Sequence, residues 1–82
     1  MLKIPEGFEF THGTHIHISR RDPRPHLTGT LHGRTVHIYY HGQTTLPMFD
    51  PGVGHDVHEV QRLHERFPDV FRNSGFGRIV FR

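Results

Sequence analysis

His26-Leu27-Thr28-Gly29-Thr30-Leu31-His32-Gly33-Arg34-Thr35-Val36-His37-Ile38-Tyr39-Tyr40-His41 decides the fold of this chain. On either side of His32-Gly33, apolar and polar residues alternate with period two, the pattern of strands that bury one face. A two-residue loop at His32-Gly33 pairs Leu31 with Arg34, Gly29 with Val36 and Leu27 with Ile38. That register keeps Leu27, Leu31, Val36, Ile38 and Tyr40 on one side of the hairpin.

Working upstream, Phe8-Glu9-Phe10 and the stretch from Thr14 to Ser19 alternate in the same way around Thr11-His12-Gly13. A three-residue loop there gives Gly13 the left-handed position and pairs Phe10 with Thr14 and Phe8 with Ile16. A two-residue loop would set Phe8 beside His17 and mix the faces. The expectation is therefore two hairpins joined by the rigid basic loop Arg20-Arg21-Asp22-Pro23-Arg24-Pro25. One sheet face then carries Phe8, Phe10, Ile16, Ile18, Leu27, Leu31, Val36, Ile38 and Tyr40. The other, expected to be exposed, carries Glu9, His15, His17, His26, Thr28, Thr30, Thr35, His37, Tyr39 and His41.

Working downstream, Gly42 to Gly54 has turn composition, with Pro47, Pro51, Gly52 and Gly54. A helix follows from about Asp56 to Phe67, because Val57, Val60, Leu63, His64 and Phe67 recur at helical spacing. Asp56 suits its first turn and Pro68 stops it. His64 falls on the apolar stripe and is expected to pack against the sheet. Gly77-Arg78-Ile79-Val80-Phe81-Arg82 alternates again and reads as a last, edge-lying strand. The fold expected is α+β, a single domain over residues 1–82. It is an antiparallel sheet of four to five strands, two hairpins plus the C-terminal strand, with one helix on its apolar face.

A chain of 82 residues with 33% apolar content buries a thin core, and zero cysteines remove disulfides and thiolate chemistry. No apolar run reaches the length of a membrane span, and Met1-Leu2-Lys3-Ile4-Pro5 lacks the apolar core of a secretory signal. A soluble, cytoplasmic protein without a membrane role is expected. Lys3 is the one lysine among ten Lys and Arg residues, and there are ten histidines besides. Arginine's planar fork suits phosphate, and histidine adds positive charge as pH falls, so the partner expected is RNA or another polyanion.

Three chemistries fit the histidine face. In the first, histidines act as acid and base in metal-independent RNA cleavage, since an imidazole near neutral pH serves in both roles. The catalytic candidates are His15, His17 and His37. Arg20, Arg21 and Arg24 are phosphate contacts, Tyr39 stacks on a base or donates to phosphate, and Ser19 offers a hydroxyl, as do Thr28 and Thr30. The second is a zinc or other transition-metal site. His15 and His17 would point the same way about 6.5–7 Å apart, with His37 and with Glu9 across the strand from His15. The helix carries H-E-x4-H, which does not bring His58 and His64 to one metal. The third is a binding module without chemistry, an inhibitor, antitoxin or phage-type protein that docks a protein partner on the sheet face or the C-terminal edge strand. His12, His32 and His41 sit at turns or strand ends and read as solvated residues. Gly52-Val53-Gly54 precedes the helix and could offer amides to an anion, but lacks the lysine and spacing of a Walker loop.

Gly13-Thr14-His15 on a strand, followed by a hairpin whose second strand reads Gly33-Arg34-Thr35-Val36-His37-Ile38 and leads to a helix, resembles the HicA type of toxin mRNA interferase. The resemblance covers roughly the middle half of the chain and implies a toxin-like ribonuclease with His15 as its catalytic residue. The family's amino-terminal helix is replaced here by Phe8-Glu9-Phe10, and the segment from Gly42 to Gly54 is longer than the family's.

Overall fold

A computed structural model of the chain describes residues 4–11, 13–18, 20–22, 24–42 and 55–82. The expectations for His12, Ser19 and Gly52-Val53-Gly54 fall outside these residues. The elements are β1 (Glu9–Phe10), β2 (His15–Ile16), β3 (His26–Leu31), β4 (Arg34–His41), β5 (His55–Asp56), α1 (Val57–Arg66) and β6 (Gly75–Phe81). Four strands form an antiparallel sheet in the order β1-β3-β4-β6, and β2 and β5 form a separate pair.

The β3/β4 hairpin has the register read from its alternation, with Leu31 opposite Arg34, Gly29 opposite Val36 and Leu27 opposite Ile38. His32 at φ 54° and Gly33 at φ 77° are both left-handed, as a type I′ turn requires. Glycine takes that conformation freely, and histidine is one of the few other residues that tolerate it. The last strand also lies where expected, at the edge beside β4. Arg78 faces Tyr39 and Phe76 faces Tyr40, so Gly77 is an extra residue in a β-bulge.

The first hairpin does not form. β1 pairs with β3, placing Glu9 opposite Thr30 and Phe10 opposite Gly29, while β2 pairs with β5, placing His15 opposite Asp56 and Ile16 opposite His55. The pairs Phe10 with Thr14 and Phe8 with Ile16 are absent, and Glu9 is not across from His15. The physical reason lies at Gly29, where the missing side chain opens a hole in the apolar face. The Phe8 ring fills it, so that a Cβ on Gly29 would come within 2.5 Å of Phe8 Cζ. Phe10 meets Phe8 edge to face at 5.0 Å. Covering a strand glycine with two aromatic rings buries more apolar surface than an isolated ribbon from Phe8 to Ile18 would.

The helix starts where Asp56 caps it, its carboxylate accepting the His58 N–H at 2.8 Å, and ends as the Phe67 N–H bonds the Leu63 carbonyl ahead of Pro68. The Asp56 carboxylate also accepts from Thr14 Oγ1 at 2.9 Å, and the Val57 N–H bonds the Thr14 carbonyl at 2.7 Å. These bonds tie the head of the helix to the chain entering β2. Val57 and Val60 join Ile16, Leu27, Leu31, Val36, Ile38, Tyr40, Phe71 and Phe76 in one core between helix and sheet. Phe67, expected in the helix's apolar stripe, stands exposed at the C-cap with Arg66 over its ring. His64 is buried as expected. Its Nδ1 bonds the Val60 carbonyl at 2.8 Å, its Nε2 meets the Tyr40 hydroxyl at 2.9 Å, and its ring stacks on Phe71. Among the described residues no helix is long and apolar enough to cross a membrane.

Candidate functional site

Alternation along β4 sends Val36, Ile38 and Tyr40 into the core and His37 and Tyr39 to the opposite face. Antiparallel pairing then sets Thr28 beside His37 and His26 beside Tyr39. A further bridge, with backbone bonds of 2.7 and 3.1 Å between His17 and His26, brings in His17. The result is a row of rings. His17 lies 5.8 Å from His26, His26 stacks on His37 at 4.8 Å, and Tyr39 borders both, at 5.5 Å from His26 and 6.3 Å from His37.

The loop before β3 closes over one end of this row. The Tyr39 hydroxyl donates to Asp22 Oδ2 at 2.7 Å, and Arg24 Nε donates to Asp22 Oδ1 at 2.9 Å. The Arg24 guanidinium lies 4.2 Å above the Tyr39 ring, and His26 Nδ1 bonds the Arg24 carbonyl at 2.9 Å. A carbonyl accepts only, so Nδ1 carries the proton in this bond and Nε2 is the ring nitrogen it leaves unengaged. Arg24 and then Tyr39, both donating to it, hold the Asp22 carboxyl far below the ordinary carboxylate range. The same bond to Asp22 raises the Tyr39 hydroxyl. Burial, followed by the Arg82 and His26 charges, pushes His37 below its ordinary value, so this imidazole is neutral at neutral pH. Its Nδ1 is buried and has no hydrogen-bond partner among the described residues.

The centre of the face expected to be exposed is therefore covered, with His26 at 6%, His37 at 7% and Tyr39 at 8% exposure, while Glu9, Thr35 and His41 around it stay exposed. The loop, which the amino-acid pattern marked as a basic connector, is laid against Tyr39 and His26. Of the expected catalytic residues, His17 and His37 belong to the row. His15 does not, because it lies exposed in the two-stranded sheet opposite Asp56. Of the expected contacts, Arg20 and Arg21 are exposed on the loop and Arg24 is folded onto Tyr39. Tyr39 has one ring face and its hydroxyl engaged within the protein. His26, Asp22 and Arg82 were missed as site residues. The alternation had placed His26 on the right face, whereas nothing local marks Asp22 or Arg82, which arrive from a loop and from the end of β6.

The alternative metal set does not assemble. Glu9 faces Thr30 and His15 is in the other sheet, away from His17 and His37. Among the described residues no group of three or more His, Asp or Glu side chains is arranged to hold a metal ion. No protein-family model matches the chain, and neither a curated protein nor a solved structure proved similar to it.

Proposed function

We propose that the chain is an RNA-directed protein that cleaves phosphodiester bonds by histidine acid/base chemistry, with His37 as base and His26 as acid. The observation that carries this reading is the stacked pair of imidazoles, 4.8 Å apart, with His37 Nδ1 making no hydrogen bond among the described residues and His26 Nδ1 held by the Arg24 carbonyl. Burial beside Arg82 keeps His37 neutral, and its unpartnered Nδ1, once uncovered, would take the proton of a ribose 2′-hydroxyl. The carbonyl that accepts from His26 Nδ1 fixes the orientation of this ring, so that Nε2 is the nitrogen that would carry a proton to the departing oxygen. The 2′-oxygen attacks phosphorus, the bond to the 5′-oxygen breaks, and the products are a 2′,3′-cyclic phosphate and a 5′-hydroxyl.

Arg82, whose charge acts on His37, would stabilise the negative charge that develops on the phosphoryl oxygens, and exposed Arg20 and Arg21 suit the flanking phosphates. His17 is the third imidazole of the row and can relay or hold a proton beside His26.

The test is incubation with a mixed RNA substrate, with and without EDTA, read on a denaturing gel. Cleavage is expected in both lanes. His26→Ala and His37→Ala should each lose about 100-fold or more in rate, the usual contribution of a positioned acid or base, while His15→Ala stays near the unsubstituted rate. RNA left intact by the folded protein, or full activity in folded His26→Ala and His37→Ala variants, would overturn the assignment.

A further inference from the structure

The two edges of the main sheet are unequal. β1 closes one edge with only Glu9–Phe10, whereas β6 forms the other with seven residues, Gly75–Phe81. Among the described residues no strand pairs with the outer side of β6. Natural proteins blunt such edges with bulges and charges. Here the Gly77 bulge disturbs only the first part, and from Arg78 onward the strand is regular, with Arg78 opposite Tyr39, Ile79 opposite Ile38, Val80 opposite His37 and Phe81 opposite Val36.

Which groups face outward follows from the ladder. The Arg82 N–H bonds the Thr35 carbonyl at 3.0 Å, so Arg82, and by alternation Val80, turn their peptide groups toward β4. Ile79 and Phe81 then turn theirs away from the sheet. This edge is also cationic. From Val70 to Arg82 the chain has Arg72, Arg78 and Arg82 and no Asp or Glu. Arg34 adds its guanidinium 4.8 Å above the Phe81 ring, which is 46% exposed.

We propose that the outer edge of β6 from Arg78 to Arg82 docks an extended acidic peptide segment, with two carboxylates four residues apart facing Arg78 and Arg82 across three apolar residues. Arg78, Val80 and Arg82 share one face, so the complementary strand reads acidic, apolar, acidic on that face, with apolar residues between them to meet Ile79 and Phe81. A second copy of this chain is disfavoured as occupant, because the antiparallel register that sets Ile79 against Phe81 also sets Arg78 against Arg82, and like charges directly opposite destabilise a pair. The partner's main chain supplies hydrogen bonds to Ile79 and Phe81, and its carboxylates supply selectivity.

The experiment is amide exchange by NMR on the whole chain, with a capped peptide Thr-Glu-Ile-Val-Ile-Glu-Thr as probe and the same peptide with lysine in place of glutamate as control. Slowed exchange at Ile79 and Phe81, with the glutamate peptide alone, is the expected result. Arg78→Glu, checked for an unchanged spectrum elsewhere, should weaken the glutamate peptide by about tenfold, and Arg78→Glu with Arg82→Glu should favour the lysine peptide. The proposal is overturned by equal protection from both peptides, by none from either at millimolar concentration, by protection that needs no peptide and rises with protein concentration, or by protection from an RNA oligonucleotide in the peptide's place. RNA cleavage plays no part in this readout, and although Arg82 is shared with the proposed cleavage site, Arg78→Glu tests the edge without altering a residue of that site.

Discussion

Gly29→Ala should lower the stability of the domain by about 2 kcal/mol, and Gly29→Val should leave it largely unfolded at 37 °C. A Cβ at position 29 would sit 2.5 Å from Phe8 Cζ and 2.7 Å from Phe8 Cε2, and closer still to the Glu9 carbonyl oxygen. The carbonyl belongs to the strand paired with β3, so the clash cannot be relieved by turning a side chain. The cheapest escape is for β1 to peel away, which costs the burial of Phe8 and Phe10 and uncovers the apolar face. Thermal unfolding followed by circular dichroism measures this, and for a domain of this size about 2 kcal/mol corresponds to roughly a 10 °C fall in midpoint. Phe8→Ala combined with Gly29→Ala should cost less than the sum of the two single changes, because the smaller side chain removes half of the clash. A Gly29→Ala protein as stable as the original would show that β1 does not lie against β3 as described.

Acid should destabilise the protein well above the carboxylate range. His37 and His64 both have their pKa lowered from the ordinary 6.5, chiefly by burial. For each, the unfolded chain takes up its proton at a higher pH than the folded one, so stability is complete above about pH 7 and falls as pH drops through 6.5. The fall levels off only below the folded-state values, and within its window each histidine removes up to about 1.4 kcal/mol per pH unit. For His64 the cause is visible. Phe71 covers the ring and the core around it excludes the water that would solvate a charge, and this burial outweighs the Val60 carbonyl, whose bond to Nδ1 favours the charged form. For His37 the neighbours are Arg82, His26 and His17, all cationic or able to become so, against the single carboxylate of Asp22. Asp22 and Asp56, whose pKa values are also lowered, add a further loss of the same sign at lower pH. Urea unfolding between pH 7.5 and 5 checks this, with His64→Gln as comparison. The variant should have a shallower slope whatever its stability at pH 7.5. Equal slopes would mean that His64 does not remain neutral in the folded protein.

The row of imidazoles places both histidine effects in one structure. At neutral pH a neutral His37 can stack on His26 and stay buried. Once both are protonated, two positive charges 4.8 Å apart repel in a poorly solvated place, and the loop that carries Arg24 adds a third. The chemistry proposed for the row needs one protonated and one neutral imidazole, and such a pair is most populated between the two protonation steps. The rate of cleavage should accordingly fall on both sides of its optimum, and its acid limb should lie where the fold also begins to lose stability.

Some elements of this protein were determined by short stretches of chain acting alone. The β3/β4 register follows from one two-residue turn and the alternation on each side of it, the helix from the Asp56 cap, the spacing of Val57, Val60 and His64, and the stop at Pro68. The last strand follows from the alternation after Gly77. In each case a strong local preference and the burial of one face agree. The partners of β1 and β2 were decided only by the tertiary structure. Two paired residues in each carry too little local preference to hold a hairpin, and the hole at Gly29 rewards Phe8 and Phe10 for leaving Ile16. The face carrying His26, His37 and Tyr39 was legible from alternation, but its burial and its membership were not. Asp22 and Arg24 reach it from a loop through contacts that no periodicity encodes, and His15 is excluded because β2 pairs with β5 and not with the main sheet.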